Sequence, residues 1–197
     1  MASARCGVAI VSAVLCVLGG CRTAPAPRVV DWQAEKRARQ ELSAWELSGR
    51  VAVATASDGW SAGITWAQDG AASELNLSGA LGVGGVRVRS DGQAFTIDTS
   101  KGEHFEAADA SAALAQTIGV ELPVHNLRYW LLGVPAPRTP ALEQLDEQGR
   151  LQRLNQDGWT GTFDRYALQG GRWLPGRVQM QQGENRIRVV INRWQLQ

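Results

Sequence analysis

From Trp45 onward the chain alternates apolar and polar residues with a period of two. Trp45, Leu47, Gly49, Val51 and Val53 alternate with Glu46, Ser48, Arg50 and Ala52, the pattern of a strand with one buried face. Trp60, Ala62, Ile64 and Trp66 repeat it, and so do Leu75 with Leu77, Val86 with Val88, and Phe95 with Ile97. A short piece follows around Phe105. Asp69-Gly70, Asp91-Gly92 and Lys101-Gly102 mark the turns between them, so the pattern predicts an antiparallel meander. The period then changes. Asp109 is placed to cap a helix over 110–118 that Gly119 ends, and Leu122-Pro123 opens a second helix that Gly133 closes. Val124, Leu127, Trp130, Leu131 and Leu132 give that second helix one broad apolar face. Pro135, Pro137 and Pro140 forbid its continuation, and the stretch to Gly149 reads as a loop.

Strands return at Leu151 to Asn155 and Trp159 to Phe163, joined by Asp157-Gly158. Trp173 to Gln182 and Asn185 to Gln195 read as a final hairpin. In its last strand Ile187, Val189 and Ile191 share one face, while Val190 and Trp194 fall on the other, which predicts burial on both sides. Before all of these, the segment from Val30 to Ala44 has a helical pattern with a sparse stripe of Trp32, Ala38 and Leu42. Together these elements predict an α+β domain: a strongly curved antiparallel sheet of about ten or eleven strands with helices on its concave side.

The N-terminus has a different character. Arg5 precedes an apolar run from Gly7 to Leu18, too short for a membrane span of about 20 residues. Leu18-Gly19-Gly20-Cys21 resembles a bacterial lipobox, which implies cleavage before Cys21 and lipidation of its thiol. This divides the chain into a leader over 1–20, a lipidated tether over 21–29 containing Pro25 and Pro27, and a domain over 30–197. Cys6 and Cys16 leave with the leader, so the mature chain has neither a disulfide nor a free thiol. The lipobox rule that Asp after the cysteine retains a lipoprotein in the inner membrane places this chain, with Arg22 there, in the outer membrane.

Charge and composition exclude several classes. The chain has 20 basic and 19 acidic residues, and Arg5 is the only charged residue of the leader. A neutral mature chain has no basic field for nucleic acid. Arg50, Arg87 and Arg89 read as a solvated strand face or as a surface for an acidic donor. His104 and His125 have no metal-like spacing, no G-x-S-x-G elbow exists, and Gly82-Val83-Gly84-Gly85 lacks the Lys of a phosphate loop. No catalytic residue, metal or cofactor is expected. Tryptophan is the outlier at eight copies, which fits either the core of a β protein or an apolar ligand cavity.

The order of motifs carries a resemblance. W-x-L-x-G-R-V runs from Trp45 to Val51, followed by Trp66-Ala67-Gln68 and by L-x-L-x-G-A-L-G from Leu75 to Gly82. L-P-V-x-x-L-x-Y-W-L-x-G runs from Leu122 to Gly133, then come Pro135-Ala136-Pro137, Asn155-Gln156-Asp157-Gly158-Trp159, the Tyr166 segment, Leu174-Pro175 and a terminal strand ending at Trp194. This order, coupled to a lipobox, resembles the LolB family of outer-membrane lipoprotein receptors from about Trp45 to Trp194. Ala80 departs from the pattern, which has Pro before the Leu-Gly pair.

The resemblance implies a half-open β-barrel with a helical lid over an apolar cavity. It implies a monomer that takes lipoprotein acyl chains from a LolA-like periplasmic carrier, without nucleotide, and releases them into the outer membrane. Leu81, helped by Val83, is then the residue of a protruding loop that contacts the membrane. Leu47, Val51, Ile64, Trp66, Leu75, Leu77, Leu127, Trp130, Leu131 and Phe163 are the candidates for the acyl-chain cavity, although plain core wants the same side chains. The competing classes are an assembly lipoprotein acting by protein–protein contact, a lipid or glycolipid carrier of similar fold, and, more remotely, a lipoprotein hydrolase.

Overall fold

The computed structural model describes residues 31–79, 85–108, 111, 114–115 and 122–197. Helix α1 spans Trp32–Gln40 and helix α2 spans Val124–Leu131. The strands are β1 Ala44–Ala54, β2 Gly59–Asp69, β3 Ala72–Ser78, β4 Gly85–Ser90, β5 Phe95–Thr99, β6 His104–Ala107 and β7 Leu142–Leu145. They continue with β8 Leu151–Gln156, β9 Trp159–Asp164, β10 Ala167–Gln169, β11 Arg172–Leu174, β12 Arg177–Gln182 and β13 Asn185–Leu196. Eleven strands form one sheet in the order β6-β5-β4-β3-β2-β1-β13-β12-β9-β8-β7, and β10 and β11 form a separate hairpin. Every pairing is antiparallel, and β6 and β7 are left as edges, so the sheet does not close.

The alternating pattern becomes packing through register. Ladder pairs link Trp194, Leu47, Trp66, Leu75, Val88 and Ile97 into one row across six strands of the inner face. A second row links Val51, Val189, Val178 and Phe163. All of these side chains are buried in a single apolar cluster. Trp45 sits at its heart, with ring centroids 5.8 Å from Trp66 and 5.6 Å from Trp194. Gly161 lies beneath Met180, where a β-carbon would come within 2.7 Å of the sulfur.

Four expectations are corrected. The last strand is not buried on both faces: the β1 ladder shifts between Ser48 and Gly49, skipping Asn192. That bulge returns Trp194 to the inner face with Ile191, and leaves Val190 half-buried on the other. The stretch after Pro140 is not all loop, because Leu142–Leu145 adds to β8 as an edge strand. Trp173 to Gln182 is two strands, broken at Pro175-Gly176, where Pro supplies no N–H to a ladder. The first helix ends at Gln40, and Ala44 already belongs to β1. The helix expected over 110–118 falls mostly outside the described residues, of which Ser111, Leu114 and Ala115 are helical and Leu114 is fully buried.

Helix α1 starts at Asp31, whose carboxylate accepts from Ala34 N at 3.2 Å. Trp32 Nε1 and Lys36 Nζ both donate to Glu143 of β7. The Arg39 guanidinium is fully buried, donating to Glu35 at 3.1 Å and to Leu132 O at 3.4 Å. Tyr166, nearby, donates to Leu151 O at 2.7 Å, and burial pushes its phenol well above the ordinary value.

Candidate functional site

Helix α2 roofs the concave face. Its buried residues Val124, Leu127, Trp130 and Leu131 recur at helical spacing, so one stripe faces the sheet. Gly133 ends it with φ of +71°, a left-handed conformation that suits glycine, and a β-carbon there would meet the Tyr166 hydroxyl at 3.0 Å.

One buried side chain fastens the foot of this lid. Gln156 Oε1 accepts from Trp130 Nε1 at 2.8 Å and from Ala136 N at 2.9 Å. Its Nε2 donates to Ala136 O at 2.8 Å, Thr139 O at 2.9 Å and Thr139 Oγ1 at 3.0 Å. The neighbouring Asp157 accepts from Asn126 and Thr139 at 2.7 and 2.9 Å. On the far side of the mouth, His125 stands edge-on to Phe95 at 5.5 Å.

Between α2 and the ends of β2 and β5 lies a crevice of about 280 Å³, lined by Trp66, Phe95, Val124, Arg128, Tyr129 and Arg138 among others. Two polar atoms on its walls, Trp66 Nε1 and Arg128 Nε, are buried and have no hydrogen-bond partner. Both atoms are closed off from solvent, so neither faces the open space of the crevice. The Nε1 atoms of Trp45 and Trp60 and Nη2 of Arg39 are likewise buried without partners.

All ten residues named from the sequence as cavity candidates are buried in one cluster formed by the sheet and the underside of α2. Trp66 alone among them lines the crevice; the other nine pack against protein. The remaining crevice residues come from the ends of β2, β3, β4 and β5, from the lid and from the segment after it, and the sequence pattern does not mark them as one site. Gln156 was visible only as part of the Asn155 to Trp159 motif, with no hint that it binds the lid. Leu81, Val83 and Cys21 lie outside the described residues. Arg87 and Arg89 are neutralised on the outer face, by Glu74 at 3.7 Å and Asp98 at 2.7 Å. Hydrogen bonds from His104 and then Arg89 hold the Asp98 carboxyl below the usual carboxylate range.

An open antiparallel sheet whose concave face is roofed by an amphipathic helix defines the class: a sheet-and-lid domain. A solved LolA superfamily protein from Nitrosomonas europaea shares it at a TM-score of 0.55 and 10% identity, over 85% of this chain and 94% of that one. The family model for the outer membrane lipoprotein LolB matches residues 43–194. The chain is 35% identical over 197 residues to the outer-membrane lipoprotein LolB of Nitrosococcus oceani, covering 97% of this chain and 98% of the relative. It is 32% identical over 193 residues to that of Pseudomonas paraeruginosa, covering 94% of each. The chain belongs to the LolB family of outer-membrane lipoproteins. Among the described residues no helix is long and apolar enough to cross a membrane.

Proposed function

We propose that this protein accepts lipoproteins from a LolA-like periplasmic carrier by taking their acyl chains beneath α2, and that it inserts them into the outer membrane. The observation that carries this reading is the crevice under the lid, which has Trp66, Phe95 and Val124 in its lining and adjoins the continuous apolar cluster that α2 covers. A lipidated cysteine offers acyl chains for that apolar surface. The protein acts as a monomer, by binding alone, without catalysis or cofactor. Its lipid anchor is Cys21, released by cleavage after a leader over 1–20 and joined by a tether over 21–29 to the domain over 30–197.

The energetics explain why a receptor is needed. An acyl chain with about 14 buried methylenes costs roughly 11 kcal/mol to expose to water, at about 0.8 kcal/mol each. A cavity that hands chains to the next cavity avoids that exposure, and each tenfold gain in affinity drives transfer by about 1.4 kcal/mol. The crevice, at about 280 Å³, falls just below the range of ligand sites, which run from about 300 to 1,000 Å³. Acyl chains therefore enter by lifting α2 from the apolar face it covers.

Leu81, with Val83, is the proposed membrane-inserting segment. Leu81→Glu is expected to leave folding and acyl uptake within about twofold of wild type while release into vesicles falls at least tenfold, since a carboxylate resists transfer into hydrocarbon. Parallel loss of uptake and release in reconstituted assays would remove that role. The reading as a whole is tested by mixing the protein with a carrier loaded with a labelled lipoprotein, in the absence of ATP. Label should move to this protein. A folded protein that acquires no label overturns the proposal and favours a lipoprotein acting by protein–protein contact.

A further inference from the structure

The outer face of the sheet carries a second feature, independent of the acyl-chain reading. Over β1, β13, β12, β9 and β8 it forms a groove of about 580 Å³ whose lining contains three arginines, Arg153, Arg186 and Arg188, and no carboxylate. Register sets them together. One ladder row runs Ala52, Arg188, Gln179, Thr162, Arg153, and the next runs Ala54, Arg186, Gln181, Thr160, Asn155. Arg188 and Arg153 are thus three strand spacings apart, about 14 Å. Arg50 stands on the same face of β1, two residues from Ala52.

Three other arginines of this face are matched with acids: Arg87 with Glu74, Arg89 with Asp98, and Arg177 with Asp164. Among the described residues Arg50, Arg153, Arg186 and Arg188 have no ion-pair partner. Asp164, on the same face of β9, is taken by Arg177, and other acids lie in the flanking turns. Asp58 accepts from Gly59 N, Asp157 from Asn126 and Thr139, and Glu184 points from the exposed β12–β13 turn. The groove lining thus carries three arginines and no carboxylate to neutralise them. The rest of the lining adds hydroxyls and amides from Thr160, Thr162, Gln179 and Gln181.

We propose that this groove binds the phosphate groups of anionic phospholipid headgroups and orients the domain on the membrane surface. Guanidinium forks match phosphate oxygens, and Thr and Gln side chains add neutral donors. A family of outer-membrane lipoproteins works beside such a surface, whose anionic lipids attract exposed basic side chains. The position agrees: Ser78, where β3 ends, lies on the ladder row of Gly63 and Arg50, so the groove occupies the end of the sheet at which β3 runs out.

The test uses protein purified from membranes and reconstituted into vesicles of phosphatidylcholine, with or without phosphatidylglycerol. A fluorescent non-natural residue in place of Gln181 reports access of the neutral quencher acrylamide, and the same residue in place of Lys101 serves as control. Phosphatidylglycerol should reduce quenching at position 181 by about threefold, in a manner lost at high salt, and leave position 101 unchanged. Arg153→Gln, Arg186→Gln and Arg188→Gln combined should abolish the protection. Should that variant fail to fold, the salt dependence and Arg186→Gln alone carry the test. Equal quenching in both vesicles overturns the proposal, as does protection that survives the substitutions. Protection that appears only on adding an acidic carrier protein overturns it in favour of a protein partner.

Discussion

Gly49→Val is expected to abolish folding. A β-carbon at position 49 would lie 2.1 Å from Val190 O and 3.0 Å from both Val190 C and Ile191 Cα. Those are backbone atoms of β13, held in the ladder on one side by β1 and on the other by β12. Neither strand can move aside without dragging the sheet, because the β1–β13 pair joins its two halves. Gly49 is needed because the ladder shifts there: the bulge opposite it turns β13 so that Trp194 joins Ile191 on the inner face. Even Gly49→Ala should cost about 4 kcal/mol, a large share of the 5–15 kcal/mol that holds a domain together. Gly183→Ala is the control. Its φ of +58° is left-handed, but a β-carbon meets nothing within 4 Å, so the cost is about 1–2 kcal/mol of backbone strain. Urea unfolding followed by tryptophan fluorescence checks both. A Gly49→Ala variant within about 1 kcal/mol of wild type, by the same linear-extrapolation measure, would mean that the bulge relaxes and the close approach is not obligatory.

The same bulge marks where the sequence stops being legible. Period-two alternation identified the inner face of β1 to β5 residue by residue, because each strand there keeps one phase from end to end. In β13 the inserted Asn192 reverses the phase, and alternation then reads a one-sided strand as two-sided. β7 was missed for a different reason. Its apolar residues Leu142 and Leu145 are exposed at a sheet edge, so they signal no buried face, and prolines precede them. The acyl-chain site was legible only as a pool of apolar residues. Core and cavity demand the same side chains, and only geometry shows that Trp66 borders open space while Leu47 and Phe163 do not. The arginines of the outer face were visible, but alternation gives the side of a sheet, not the neighbours across it. Register, which is non-local, separates the neutralised Arg87 and Arg89 from the unpaired Arg153, Arg186 and Arg188.

Gln156→Leu is expected to destabilise the protein by about 3–5 kcal/mol and to loosen the foot of α2. Leucine fits the volume but satisfies none of the five groups that Gln156 serves: Trp130 Nε1, Ala136 N, Ala136 O, Thr139 O and Thr139 Oγ1. Trp130 is fully buried and Gln156 nearly so, which limits the access of water to these groups. The size of the loss follows from the asymmetry between a made and an unmade hydrogen bond: each contributes about 1 kcal/mol net, whereas each buried orphan costs about 1–3 kcal/mol. Thr139→Val removes only the hydroxyl, leaves the Thr139 carbonyl bond in place, and should cost about 1 kcal/mol. Gln156→Glu separates the two halves of the network. Its carboxylate still accepts from Trp130 and Ala136 N but opposes the carbonyls of Ala136 and Thr139, so it should fall between the other two only when protonated. The stability of this variant should therefore rise as pH falls through the pKa of the introduced carboxyl, the sign for a group whose charged form is disfavoured in the fold. Hydrogen exchange of the Val124–Leu131 segment distinguishes a loosened lid from a general loss of stability. If the lid amides exchange no faster than those of β1 in Gln156→Leu, the lid is held by its apolar stripe alone. If they exchange selectively, the fastening at its C-terminal foot is the hinge about which α2 lifts.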